Sequence, residues 1–181
     1  MKGNQQEIKK ATEQVGAGIK EKEGQTKEIQ ASIRQAAKKG TTAKDALGLT
    51  DAMVEGIYGQ AYRLYNTGKY RDASQLFRLL IMLNATEPKY SMGLAACFHM
   101  LKEFKSAVDS YSMVSVMDAK SPIPYYHSSD CYMQMGDTAS AIIMLDMAIK
   151  RAGDKPEFRS LKERAALTIE SLRKEIAKTP K

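Results

Sequence analysis

From about residue 50 onward, apolar positions recur three and four apart, the spacing that gathers them on one face of an α-helix. Ile57, Ala61 and Leu64 make one such stripe, and Ala73, Phe77 and Leu80 make the next. Between them Asn66-Thr67-Gly68 breaks the pattern, with a glycine free to take a positive φ, so the segment predicts two helices joined by a tight turn. The same arrangement returns 34 residues later and again after another 34. Ala73, Ala107 and Ala141 fall in register, as do Leu64, Phe98 and Tyr132, then Ala61, Ala95 and Ser129, and then Phe77, Tyr111 and Leu145. Pro88, Pro122 and Pro156 keep the register too, each suited to a first helical turn and unable to continue the helix before it. Gly136 repeats the turn glycine, whereas the middle turn carries Lys102 and is expected to be strained or differently shaped.

A helix pair of 34 residues whose small side chains mark the helix crossing is the unit of a tetratricopeptide array, in which each unit buries its apolar face against its neighbours. The fold expected is all-α: three tandem tetratricopeptide repeats with a C-terminal capping helix and a polar N-terminal extension. The boundaries read as 1–50 for the extension, 51–155 for the units (54–87, 88–121 and 122–155), and 156–181 for the capping helix and tail. The last helix is expected to begin at an Asp154 cap, turning Phe158, Leu161, Ala165, Ile169, Leu172 and Ile176 onto the array and Lys162, Arg164, Arg173 and Lys174 toward water. The first 50 residues hold few large apolar side chains. Ile8, Val15, Ile19, Ile29 and Ile33 partly follow a heptad spacing that Gly16, Gly18 and Gly24 interrupt. Two readings stay open there, a mobile segment or weak helices that order against a partner or a second copy of the chain.

The net charge of +7 would suggest nucleic acid or a membrane surface, but its distribution argues otherwise. Residues 1–45 hold ten basic and six acidic side chains and residues 151–181 hold nine and five, which leaves the repeats nearly neutral. With no basic helix face interleaved with aromatics, nucleic-acid binding is not expected. Leu79 to Leu83 is among the longest apolar runs, far short of the roughly 18 residues of a membrane-spanning helix, so direct membrane insertion is not expected either. The polar start from Met1 to Lys10 carries no secretory pattern, and a cytoplasmic protein is the reading. Cys97 and Cys131 offer neither a metal spacing nor a disulfide framework and, one repeat apart, lie too far from each other to pair. No nucleophile beside a base, phosphate loop or carboxylate cluster occurs at helical spacing, so the chain reads as a non-enzyme without cofactor or metal.

In such arrays the first helices of the units line the concave side. Positions near the fifth, ninth, twelfth and thirteenth of each unit face it: Tyr58, Tyr62, Tyr65 and Asn66; Met92, Ala96, His99 and Met100; and Tyr126, Asp130, Met133 and Gln134. Tyrosine brings large contact area with a polar tip, and methionine adapts to irregular apolar surfaces, so the lining suits an extended apolar client. A groove for a charged peptide terminus would gather Lys, Arg and Asn, and no such cluster is present. His99 has no Cys, Asp or second His at ligand spacing on its own helix and is expected to hydrogen-bond on the groove side, whereas His127 reads as structural.

The stretch from Tyr58 to Asp137 resembles the class II chaperones of bacterial type III secretion. The likeness is carried by Ala61-Tyr62-Arg63-Leu64-Tyr65, Gly68-Lys69-Tyr70, Gly93-Leu94-Ala95-Ala96, Pro122-Ile123-Pro124-Tyr125-Tyr126-His127 and Cys131-Tyr132. It implies a cytoplasmic chaperone that holds an apolar segment of secreted translocator proteins in the concave groove, prevents their aggregation or membrane insertion before export, and often forms a homodimer. The alternative is a tetratricopeptide adaptor that assembles other soluble proteins.

Overall fold

The computed structural model describes residues 43–178, and the heptad-like positions between Ile8 and Ile33 lie outside them. The chain divides into two compact units, Met1–Asp51 and Ala52–Lys181. In the described part of the first, a single helical turn, α1 (Ala43–Ala46), is followed by Gly48 at a φ of 64°, and Lys44 Nζ bridges to Asp51 Oδ1 at 2.6 Å.

The second unit is all helical among the described residues: α2 (Asp51–Asn66), α3 (Tyr70–Leu83), α4 (Pro88–Met100), α5 (Phe104–Met117), α6 (Ile123–Gln134), α7 (Thr138–Ala152), a 3-10 turn at Pro156–Phe158, and α8 (Arg159–Lys178). From α4 onward each helix packs on the one before it in the chain, and α2 joins the stack through Tyr58, whose ring meets Phe77 of α3 and Tyr90 of α4. Within each pair the helices cross at small side chains. Ala61 and Ala73, Ala95 and Ala107, and Ser129 and Ala141 are all at most 1% exposed. Ser129 stands where the other pairs have alanine and satisfies its hydroxyl locally, donating to the Tyr126 carbonyl at 2.6 Å. Larger side chains fill the space between pairs: Ala95, Phe98, Ala107, Val108, Tyr111 and Cys131 form one cluster, and Leu145, Ala165 and Ile169 another.

The three turns inside the pairs are built alike, so of the two expectations for the middle turn the structure shows strain and not a different shape. Gly68, Lys102 and Gly136 have φ of 79°, 61° and 75°. In each, the following residue donates its N–H five residues back, Lys69 to Leu64, Glu103 to Phe98 and Asp137 to Tyr132, the Schellman pattern that satisfies the last helical carbonyls. Tertiary packing on both sides holds the middle turn to this shape, so Lys102 takes the left-handed conformation and carries its strain.

The last helix also starts differently from the sequence expectation. Pro156 opens a 3-10 turn and α8 begins only at Arg159. Asp154 is not its cap. Its carboxylate instead lies 3.5 Å from Lys162 Nζ, which also donates to the Gly153 carbonyl at 2.5 Å and so clasps the end of α7. Among the described residues no helix is long and apolar enough to cross a membrane.

Candidate client-binding face

The twelve residues singled out from the sequence all lie on α2, α4 and α6, the first helices of the three pairs, and none is fully buried. Tyr62 and Met100 are 55% and 48% exposed, more than core side chains of their size would be. Asn66 and Gln134 are exposed as well, while Ala96, His99, Asp130 and Met133 are half-buried. Others divide their surface between the face and the core. Tyr58 stacks on Tyr62 with ring centroids 6.4 Å apart, Tyr65 meets Tyr70 edge-on at 5.3 Å, Met92 packs on the cluster around Phe98, and Tyr126 packs on the cluster around Leu145.

Lys89 sits at one edge of this arrangement. Its ammonium lies 4.6 Å above the Tyr58 ring and pairs with Glu55 Oε2 at 3.0 Å, and the Glu55 partnership holds it charged, raising its pKa. Glu55 and Lys89 are equivalent positions of adjacent pairs, so the bridge ties α2 to α4.

At the centre the structure assembles a polar cluster that the sequence did not reveal. His99 Nε2 donates to Asp130 Oδ2 at 2.7 Å, joining α4 to α6, and the Tyr111 hydroxyl lies 3.5 Å from His99 Nδ1. The His127 ring stacks on Tyr111 at 5.6 Å and meets His99 edge-on at 6.5 Å. Burial and the neighbouring His99 push the His127 pKa down, and burial pushes that of Tyr111 up. His99 does hydrogen-bond, as its position suggested, but its partner comes from the next repeat rather than its own helix. A partial signal was available: their positions in the repeat, the twelfth of one unit and the ninth of the next, put both on first helices, but the order of residues does not say that the two meet.

No group of three or more His, Cys, Asp or Glu side chains among the described residues could hold a metal ion. Cys97 and Cys131 are free and buried, and burial raises both thiols to about 11. They serve as small core residues.

Of the basic residues of α8 expected to face water, Arg164, Arg173 and Lys174 are exposed and Lys162 is half-buried, and all of them also make contacts at the surface. Besides Lys162, Arg173 approaches Asp146 of α7 at 4.0 Å, and the Arg164 guanidinium lies 5.7 Å above the ring of Tyr126 on α6.

Residues 54–85 match the tetratricopeptide repeat family model. Over 148 residues the chain is 31% identical to low calcium response locus protein H of Yersinia pseudotuberculosis, covering 82% of this chain and 88% of that protein. Its structure is similar to that of the Yersinia enterocolitica type III secretion chaperone SycD in complex with a peptide of the translocator YopD, with a TM-score of 0.67 at 32% identity, covering 70% of this chain and 96% of that one. It is also similar to the alternative dimer of the Yersinia enterocolitica translocator chaperone SycD, with a TM-score of 0.66 at 31% identity, covering 70% of this chain and 96% of that one.

Proposed function

This chain belongs to the family of low calcium response locus protein H and SycD, the translocator chaperones of type III secretion, and from that membership we propose that its own clients are translocator proteins, each held by an extended apolar segment. The chaperone acts by occupancy. Client surface that would aggregate or insert into a membrane stays covered until handover, and the protein contributes affinity rather than chemistry. It works in the cytoplasm, before export, and as a homodimer.

The segment is proposed to lie in the concave groove on α2, α4 and α6, within an array of units 54–87, 88–121 and 122–155. The observation that supports this reading is the run of half-exposed aromatic and methionine side chains from Tyr58 and Tyr62 through Met92 and Met100 to Tyr126 and Met133, repeated from one first helix to the next. An extended peptide alternates its side chains, and pockets between stacked helices accept every second one. The polar extension of residues 1–50 is proposed as the place of self-association.

The test is co-purification of the full chain from its native cell, with mass spectrometry of bound proteins, for wild type and for a Tyr62→Ala, Met92→Ala double variant. Apolar secreted proteins should accompany wild type and be largely lost from the variant. Equal recovery with both would refute the groove.

A further inference from the structure

The same 34-residue offset that relates the first helices carries one step further, into α8. Tyr126, Asp130, Met133 and Gln134 map onto Ser160, Arg164, Leu167 and Thr168. Burial follows the offset where a preceding repeat is present to cover it: Cys97, Cys131 and Ala165 occupy equivalent positions and all are 0% exposed. It departs where a following partner helix would be needed. Ala61, Ala95 and Ser129 are buried in pairs that have a second helix, whereas the equivalent Glu163 side chain, on a helix with none after it, is 62% exposed. α8 therefore stands as a further first helix without a second, and the face it presents beside α6 is the one that continues Tyr126 and Met133.

Two side chains on that face keep surface or donors free for a ligand. Leu167, one turn beyond Arg164, is 67% exposed, more than Tyr62 or Met100. Of the basic side chains of α8, only Arg164 and the terminal Lys178 form no ion pair among the described residues. The others reach Glu163, Asp154, Asp146 and Glu170, while the Arg164 guanidinium rests over Tyr126, inside the proposed groove. The carboxylate of the adjoining row, Asp130, is already engaged by His99.

We propose that α8 extends the groove by a fourth row, in which Leu167 receives an apolar side chain and Arg164 a carboxylate of the same bound segment. This rests on the groove reading above and deepens it: the client is about three residues longer than three rows require, given helix spacings of roughly 8 to 10 Å and an extended rise of about 3.3 Å, and it carries an Asp or Glu close to its terminal apolar anchor. Arg164 is suited to that task because its Nε–H donates to the Ser160 carbonyl at 3.3 Å and its guanidinium rests over the Tyr126 ring, which together hold its terminal N–H groups in place for a carboxylate.

The experiment uses the full chain and a fluorescent positional-scanning library of peptides about 15 residues long built on an apolar core. Wild type should select an acidic residue at one position and an apolar residue beside it. Arg164→Glu should convert the acidic preference at that position into a basic one, and Leu167→Ser should weaken binding about fivefold and erase the adjacent apolar preference. Both variants should keep the wild-type unfolding midpoint, since neither side chain is buried. The Tyr62→Ala, Met92→Ala variant serves as the reference for the groove itself. If it weakens binding while Arg164→Glu and Leu167→Ser leave selection and affinity unchanged, the fourth row is overturned and the groove stands. If it binds as wild type does, the groove reading falls and the fourth row with it.

Discussion

The ring of Phe77 on α3 lies so close to the Cα of Gly93 on α4 that a Cβ placed there would overlap Cε1, Cζ and Cδ1 of the ring. Phe77 is 2% exposed and also takes the edge of Tyr58, so it has nowhere to retreat. Gly93→Ala should therefore destabilise the protein by about 1 to 3 kcal/mol, the usual cost of overpacking. Thermal unfolding checks this, and Phe77→Leu should recover part of the loss in the Gly93→Ala background. Absence of any loss in the single variant would show that α3 and α4 can separate freely.

The middle turn offers a change of the opposite sign. Lys102 holds a φ of 61° that glycine adopts in both sister turns. Relief of left-handed strain, roughly 1 to 2 kcal/mol, outweighs the extra flexibility that glycine brings to the unfolded chain, so Lys102→Gly should stabilise by about 0.5 to 1 kcal/mol. Gly136→Ala, the reverse change at an equivalent site, should destabilise. Denaturant midpoints for the two variants should move in opposite directions.

Burial and His99 depress the pKa of His127 below the value of 6.5 that it has when unfolded. The unfolded chain then binds the proton more readily than the folded one. Stability from this group is fully present above about pH 6.5 and is lost as the pH falls through that value toward the depressed folded one. Urea unfolding between pH 7.5 and pH 5 should show a decline that His127→Gln flattens. An unchanged slope in that variant would show that His127 does not carry the decline.

Thiol reagents test the interior. Cys97 and Cys131 are both 0% exposed, and burial lifts their pKa values to about 11, so little thiolate forms near neutral pH. Neither should react in the native protein within the time that urea-unfolded protein takes to react fully. Rapid native labelling at either position would mean that the helix pairs open readily around them.

Salt separates the groove from the charged ends. An apolar client held by Tyr62, Tyr65, Met92 and Met133 should change affinity less than about threefold between low and high salt, because screening acts on exposed charges and leaves apolar burial untouched. Peptide titrations at two ionic strengths measure this. A steep salt dependence that Arg164→Gln does not reduce would point to the basic ends instead.

Much of the architecture was legible in the order of residues because helical repeats are local: each pair depends on a stripe three to four apart, a turn and a proline, and the register of Ala73, Ala107 and Ala141 states the repeat directly. That the twelve singled-out residues lie on the first helices was legible for the same reason, since a position within a repeat determines the helix it occupies. What the sequence could not decide is which side chains meet across repeats. His99 and Asp130 are 31 residues apart, and only the stacking of α6 on α5 and of α5 on α4 brings them to 2.7 Å. Lys102 took a glycine conformation because the helices on either side dictate the turn, overriding the preference of one residue. Arg164 faces water as its position on the last helix suggested, but that its guanidinium lies over Tyr126 of α6 emerged only from the packing of α8. Local periodicity determines the elements and their faces; contacts between faces arise from how the helices are stacked, and that is settled only when the whole array buries its surface at once.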